Sequence, residues 1–245
     1  IADISTVLVP VMALLYLGGG LAVILGNLRR LPEAVTLMLR CAVAPEAALG
    51  GALGIVTRRE ALRWGVARSV FSNEAGLGSA AITAACADTD EPVKQGLISM
   101  TGVFFDTMVI CTVTGLAICC SGTLGTADGA GRPLTGAALT LRAFETVLGP
   151  LAPWLIGAAL GLFAFTSVLG CAVQAETTAS YLLGPEAVRP CRVLYGLAVF
   201  AGAVIPMATV LQLADLANAL MAFPNLVCLL LLSGEIAGEC GRKER

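Results

Sequence analysis

The stretch RSVFSNEAGLGSAA, residues 68–81, decides how this chain is to be read. An apolar run carries Arg68, then Asn73 and Glu74, then Gly76 and Gly78. Each glycine inside a helix costs about 1 kcal/mol relative to alanine. Ser72 and Asn73 favour helix ends over interiors, because their side chains bond nearby backbone groups. A helix entering this stretch is therefore expected to stop and restart within it.

The surroundings make that break unusual. Hydrophobic residues make up 57% of the chain and charged residues only 13%, whereas a soluble domain carries about 25% charged residues. So few charges cannot cover a globular surface, and the composition implies an integral membrane protein. Aromatic residues are only 5%, too few for a barrel with aromatic girdles, and the apolar runs are longer than barrel strands. The spans are therefore helices, and the fold class is all-α.

Composition also excludes functions. The formal charge is −2, no basic tract is present, and nucleic acid is not a partner. Histidine is absent, which removes histidine metal sites, imidazole acid–base chemistry and Ser-His-Asp triads. No nucleophile–base pair stands out, and the chain does not read as an enzyme. The nine cysteines are odd in number, form no Cys-x-x-Cys, and mostly occupy apolar runs. There they act as small hydrophobes, with no cofactor or metal framework expected. The first residue is Ile1 and no basic segment precedes a cleavage site, so the chain reads as an internal or C-terminal piece of a longer polypeptide.

Candidate spans are 4–25, 34–55, 64–87, 96–120, 153–175 and the long run 193–232, which divides in two at a turn between Met207 and Asp215. That makes about seven. Residues 1–234 then form the transmembrane core and 235–245 a solvated cytoplasmic tail. The connection 121–151 has a Gly-rich first half, and 134–148 has the apolar spacing of a short surface helix. Gly18, Gly19 and Gly20, like Gly50 and Gly51, suit close helix approach. Counting Lys and Arg on the two sides favours six spans, with 64–87 as a loop, over seven. Both arrangements put the C-terminus in the cytoplasm.

Arg40, Glu46, Arg68, Glu74, Asp106 and Asp215 fall inside these spans, with Glu176 just past one end. An intramembrane charge costs about 2.5–3.5 kcal/mol on insertion scales and normally faces a polar interior. Snorkelling or mutual pairing accounts for Arg40 and Arg68, a packing hydrogen bond for Asp106, and a helix cap beside Asn218 for Asp215. Glu74 differs, because the helix breaks around it. Backbone unwound at membrane depth is tolerated only where protein, water or ligand satisfies it. Secondary transporters use such breaks to hold substrate and coupling ion. The plain alternative is an interfacial helix–turn–helix. In FAFTSVLG, residues 163–170, Thr166 and Ser167 either bond back to their own helix or offer oxygens to Na⁺.

GVARSVFSNEAGLGSA (65–80), DEPVKQGL (90–97), GVFFDTMVICTVTGL (102–116) and LADLANALMAFPNLVCLLLLSG (213–234) together resemble the alanine or glycine:cation symporter family. The resemblance runs from about Val9 to Gly234. It implies Na⁺-coupled uptake of a small amino acid across the plasma membrane, by alternating access. It also implies a partial bundle like that of the bacterial leucine transporter, with two inverted five-helix repeats and broken first and sixth helices. The order of helices supports seven spans, with 64–87 as the broken sixth helix and 4–25 and 34–55 as the fourth and fifth. By the resemblance, Asn73, Glu74, Ala75, Gly76, Leu77 and Gly78 form the substrate-binding break, and Thr166 and Ser167 face the sodium site.

This chain departs from the family pattern at three places. Cys171 stands where the family has tryptophan, in CAVQAE rather than a Tyr-Tyr-Gly run, which leaves the preference for alanine open. Glu91 replaces a histidine, and Arg68-Ser69 replaces Arg-Gly. The family's N-terminal part, with its own broken helix, is not in this sequence, so the 245 residues alone are expected not to transport. The rival readings are an uncoupled channel or membrane subunit and an inactive fragment.

Overall fold

The computed structural model describes residues 2–43, 58–129 and 131–243. Among them the secondary structure is helical, apart from one isolated bridge between Ala127 and Pro133. The helices are α1 Ala2–Gly26, α2 Leu31–Val43, α3 Arg58–Asn73, α4 Ser79–Ala84, α5 Pro92–Phe104, α6 Thr112–Ser121, α7 Gly136–Leu148, α8 Ala152–Leu183, α9 Val188–Val204 and α10 Met207–Lys243. A π-helical stretch, Phe105–Cys111, joins α5 to α6 and carries Asp106. Five segments of the described residues are long and apolar enough to cross a bilayer: Val7–Gly26, Pro92–Ser121, Gly136–Leu183, Pro185–Val204 and Met207–Gly238. The second half of the expected span 34–55, with Glu46, Gly50 and Gly51, lies outside the described residues.

The chain divides into two compact units, Ile1–Val66 with Phe105–Thr166 and Ala67–Phe104 with Ser167–Arg245. The first has a small core of Val23, Ile24, Ala117, Ala143, Phe144, Ala152 and Ile156. There α1 packs on α6 and α7. A Cβ on Gly20 would lie 2.5 Å from Val113 Cγ1, so only glycine lets α1 come this close to α6. The Tyr16 hydroxyl and Thr114 Oγ1 share a hydrogen bond of 2.8 Å across the same contact. The helix expected over 134–148 forms as α7, exposed or half-buried along most of its length, with one face turned to the core. Phe144 and Ala143 are fully buried, because its helical apolar spacing gives it a face for this core.

In the second unit the turn of the long apolar run falls at Ile205 and Pro206, ahead of the expected place between Met207 and Asp215. Proline has no N–H and pushes the residue before it to extended backbone, and Ile205 has φ −74° and ψ 143°. Asp215 consequently caps nothing. It lies well inside α10, where its carboxylate takes the guanidinium of Arg68 on α3. The Arg68 guanidinium also stands 5.3 Å from the centre of the Phe71 ring. Two charges that looked separately anomalous are thus each other's partner, as intramembrane charges commonly are.

Helices α8 and α9 of this unit run antiparallel. Arg192 grips Glu176 through two hydrogen bonds, of 2.7 and 2.8 Å, and the Tyr195 hydroxyl donates to the Val168 carbonyl at 2.9 Å. Large apolar side chains such as Leu194, Phe200, Leu230 and Leu231 are exposed on α9 and α10. Helices with backbone satisfied internally and apolar outer faces are the form a bilayer accepts. The protein is an all-α integral membrane protein. Helix α10 continues past Gly234 to Lys243.

Candidate functional site

The break forms where the sequence indicates, and its geometry is specific. Helix α3 ends at Asn73, where the Ala75 N–H reaches back to the Val70 carbonyl at 3.2 Å. This long bond marks a Schellman ending, whose next residue must turn left-handed. That residue is Glu74, with φ +50°, and it is the one non-glycine with positive φ among the described residues. A left-handed backbone costs an ordinary L-residue about 1–2 kcal/mol, a role usually given to glycine. Strain of this kind persists where surrounding structure enforces it, often at functional positions.

The chain then needs two more left-handed turns. Gly76 has φ +74° and Gly78 has φ +84°. The Leu77 N–H closes onto the Glu74 carbonyl at 3.2 Å, and the Gly78 carbonyl accepts from Ala81 at 3.2 Å as α4 begins. The Leu77 side chain and Ser79 are buried, which pins the loop between the two helices.

Side chains from two distant helices hold this loop. Oε2 of Glu74 accepts from Ser79 Oγ at 2.5 Å and from Gln174 Nε2 at 3.3 Å. Gln174, on α8, also donates to Thr83 Oγ1 at 3.1 Å and, at the limit of reach, to the Ser79 carbonyl at 3.5 Å. From α10, Asn225 Nδ2 donates to the Gly76 carbonyl at 3.0 Å. A Cβ on Gly78 would come within 2.9 Å of Asn225 Oδ1. Glycine at 78 therefore answers both the backbone turn and this contact.

Of the residues singled out in the sequence, Glu74, Ala75, Gly76, Leu77 and Gly78 make the loop itself. Asn73 ends α3, with Nδ2 lying 3.4 Å from Ser69 Oγ. Thr166 and Ser167 lie inside α8. The Thr166 hydroxyl donates to the carbonyls of Leu162 and Phe163, each at 3.0 Å. Its proton thus serves its own helix, and its oxygen keeps acceptor capacity.

Sequence reasoning passed over Gln174 and Asn225. Both are uncharged, and Asn225 lies within the family-like stretch 213–234 without standing out in it. Their signals were slight: Gln174 interrupts an apolar helix within CAVQAE, and Asn225 follows a proline inside α10. Replacing Asn225 with leucine leaves the Gly76 carbonyl without its donor, a loss of about 1–3 kcal/mol. Amide hydrogen exchange across 74–78 is expected to accelerate by tenfold or more, on the scale of about 1.4 kcal/mol per decade. Unchanged exchange would mean that the loop does not depend on this bond.

The arrangement offers a carboxylate and unwound backbone at one place in an otherwise apolar helical bundle. Among the described residues no group of three or more His, Cys, Asp or Glu could hold a metal ion. Comparison with known proteins agrees with a transport architecture. The family model described as the sodium:alanine symporter family matches residues 1–242. The sodium/alanine symporter AgcS of Methanococcus maripaludis is 39% identical over 98% of this chain and 51% of its own length. The probable sodium/glutamine symporter GlnT of Bacillus subtilis is 38% identical, over 95% of this chain and 47% of that protein. The amino-acid carrier protein AlsT of Bacillus subtilis is 35% identical, over 95% and 48%. The chain spans about half the length of the curated relatives it matches. With a match across nearly its whole length, the chain belongs to the sodium:alanine symporter family, a family of transporters.

Proposed function

We propose that the loop 73–78 is one wall of the substrate site of a sodium-coupled symporter for a small neutral amino acid, alanine or glycine. The carrying observation is the left-handed Glu74, held half-buried between α3 and α4 by donors from α4 and α8. A carboxylate there receives the ammonium of a zwitterion, and unwound backbone meets its carboxylate end. Sodium, a hard cation that takes oxygen ligands, is assigned to the hydroxyls of Thr166 and Ser167. Substrate and ion then bind together and the protein alternates between its two openings. We place the protein in the cell membrane as a multi-pass protein with its C-terminus in the cytoplasm. The relative named as a probable glutamine symporter keeps larger neutral amino acids in the test panel.

The test is uptake of labelled alanine, glycine and glutamine into vesicles containing the full-length gene product, with Na⁺ or with choline in its place. Saturable uptake that falls to background in choline is expected. Equal flux in both buffers would sink sodium coupling and favour an uncoupled channel, and no flux in either would favour an inactive fragment. Thr166→Val is expected to raise the Na⁺ concentration needed for half-maximal uptake several-fold. An unchanged Na⁺ dependence would remove Thr166 from the ion site.

A further inference from the structure

We infer that Gln174 is a positioning residue for Glu74, dividing the labour of its two carboxylate oxygens. This rests on the reading of the loop as an amino-acid site. Among the described residues, both donors that reach the Glu74 carboxylate, Ser79 Oγ and Gln174 Nε2, bond to Oε2. Oε2 is thereby committed to the protein, and Oε1 is the oxygen reserved for the ligand's ammonium.

The orientation of the Gln174 amide is fixed by its neighbours. The carboxylate oxygen and the Ser79 carbonyl can only accept, so both require the nitrogen end of the amide. Its two protons are shared among three acceptors, of which Thr83 Oγ1 at 3.1 Å is the nearest and the Ser79 carbonyl at 3.5 Å the farthest. The amide oxygen is turned the other way. A single side chain of α8 thus ties together both sides of the break: Glu74 before the glycines, and Ser79 and Thr83 after them. It also fixes the rotamer of a residue whose backbone is held left-handed. The groups bonded to the carboxylate are the Ser79 hydroxyl and the Gln174 amide. No charged side chain among these supports Glu74, so its aim depends on neutral donors.

Gln174 lies in CAVQAE, where this chain departs from the family's Tyr-Tyr-Gly run, so the resemblance does not imply this contact. Its consequence is a preference for ligands that carry a primary ammonium. A donor that must reach Oε1 alone is sensitive to small rotations of the carboxylate, and without Gln174 that rotation is free.

The test uses Gln174→Met in the full-length gene product, purified and reconstituted. Methionine keeps the length and helix propensity of glutamine and removes the donor. The expected result is a KM for alanine raised about tenfold or more, the scale of one charge-assisted hydrogen bond, with kcat changed little. Discrimination between alanine and lactate, which replaces the ammonium with a hydroxyl, should fall by a similar factor. The same substitution in a Glu74→Gln background should add almost nothing, because Gln174 acts through Glu74. A residue that only packs α8 would lower the amount of folded transporter and leave KM, discrimination and the coupling between the two positions unmoved, and that result overturns the inference. Should Gln174→Met not fold, Thr83→Val relieves one arm of the amide and is read by the same ratio of KM values. If the unmodified protein takes up no amino acid in any buffer, the reading of the site has failed. If it does and KM for the variants is unchanged, only the role of Gln174 has failed.

Discussion

Gly76→Leu is expected to abolish amino-acid uptake while the protein still inserts in the membrane. Gly76 has φ +74°, and a Cβ there would meet nothing closer than Leu226 Cδ2 at 3.9 Å. Space is available, so the effect comes from the backbone. Leucine in a left-handed conformation costs about 1–2 kcal/mol, and leucine also gains roughly 0.8 kcal/mol over glycine in a continuous helix. The swing toward a straightened helix is about 2–3 kcal/mol, or roughly 30- to 140-fold in population. Gly76→Asn tolerates the left-handed turn and should keep much more uptake. Labelled alanine uptake, normalised to transporter in the membrane, checks both. Normal uptake by the leucine variant would count against the loop as the site, and equal loss in the two variants would count against the backbone as its cause.

Asp215→Ala carries the second large effect, on stability. It removes the carboxylate that answers Arg68. Breaking a buried pair from one side costs about 3–5 kcal/mol, and each side chain here is about a third exposed, at 31% and 38%. A loss between the exposed and buried limits, about 1–3 kcal/mol, is therefore expected. It should appear as a lower melting temperature of the detergent-solubilised protein. Removing both charges, with Arg68→Leu and Asp215→Ala together, should recover most of the loss, because breaking a pair from one side costs more than replacing both partners. A double variant no better than the single one would show that the pair stabilises through something other than charge.

The two variants differ in what the sequence could reveal about them. The need for left-handed backbone at Gly76 and Gly78 is written locally. Glycine spacing, Asn73 and the end of an apolar run act within a few residues, and the structure breaks the helix where they stand. The membrane class follows from composition for a similar reason, since it depends on the sum over the chain. Glu74 in the left-handed position was less legible: its identity marks the charge, but a Schellman ending is a property of the whole turn. The turn expected between Met207 and Asp215 falls instead at Ile205 and Pro206. Proline acts on the backbone directly, whereas Asp215 could be satisfied from another helix.

Which side chains meet is a different kind of information. Arg68 and Asp215 are 147 residues apart in the chain, Gln174 and Glu74 are 100 apart, and Asn225 and Gly76 are 149 apart. No local propensity connects such pairs, because their proximity is set by helix packing around them. The sequence alone determined that this is an all-α membrane protein with one helix broken at 73–78. Only the tertiary structure decided that a glutamine and an asparagine, each alone on an apolar helix, hold the break open. An uncharged amide gives little signal in a sequence and acquires its meaning from the backbone and carboxylate it is brought to meet.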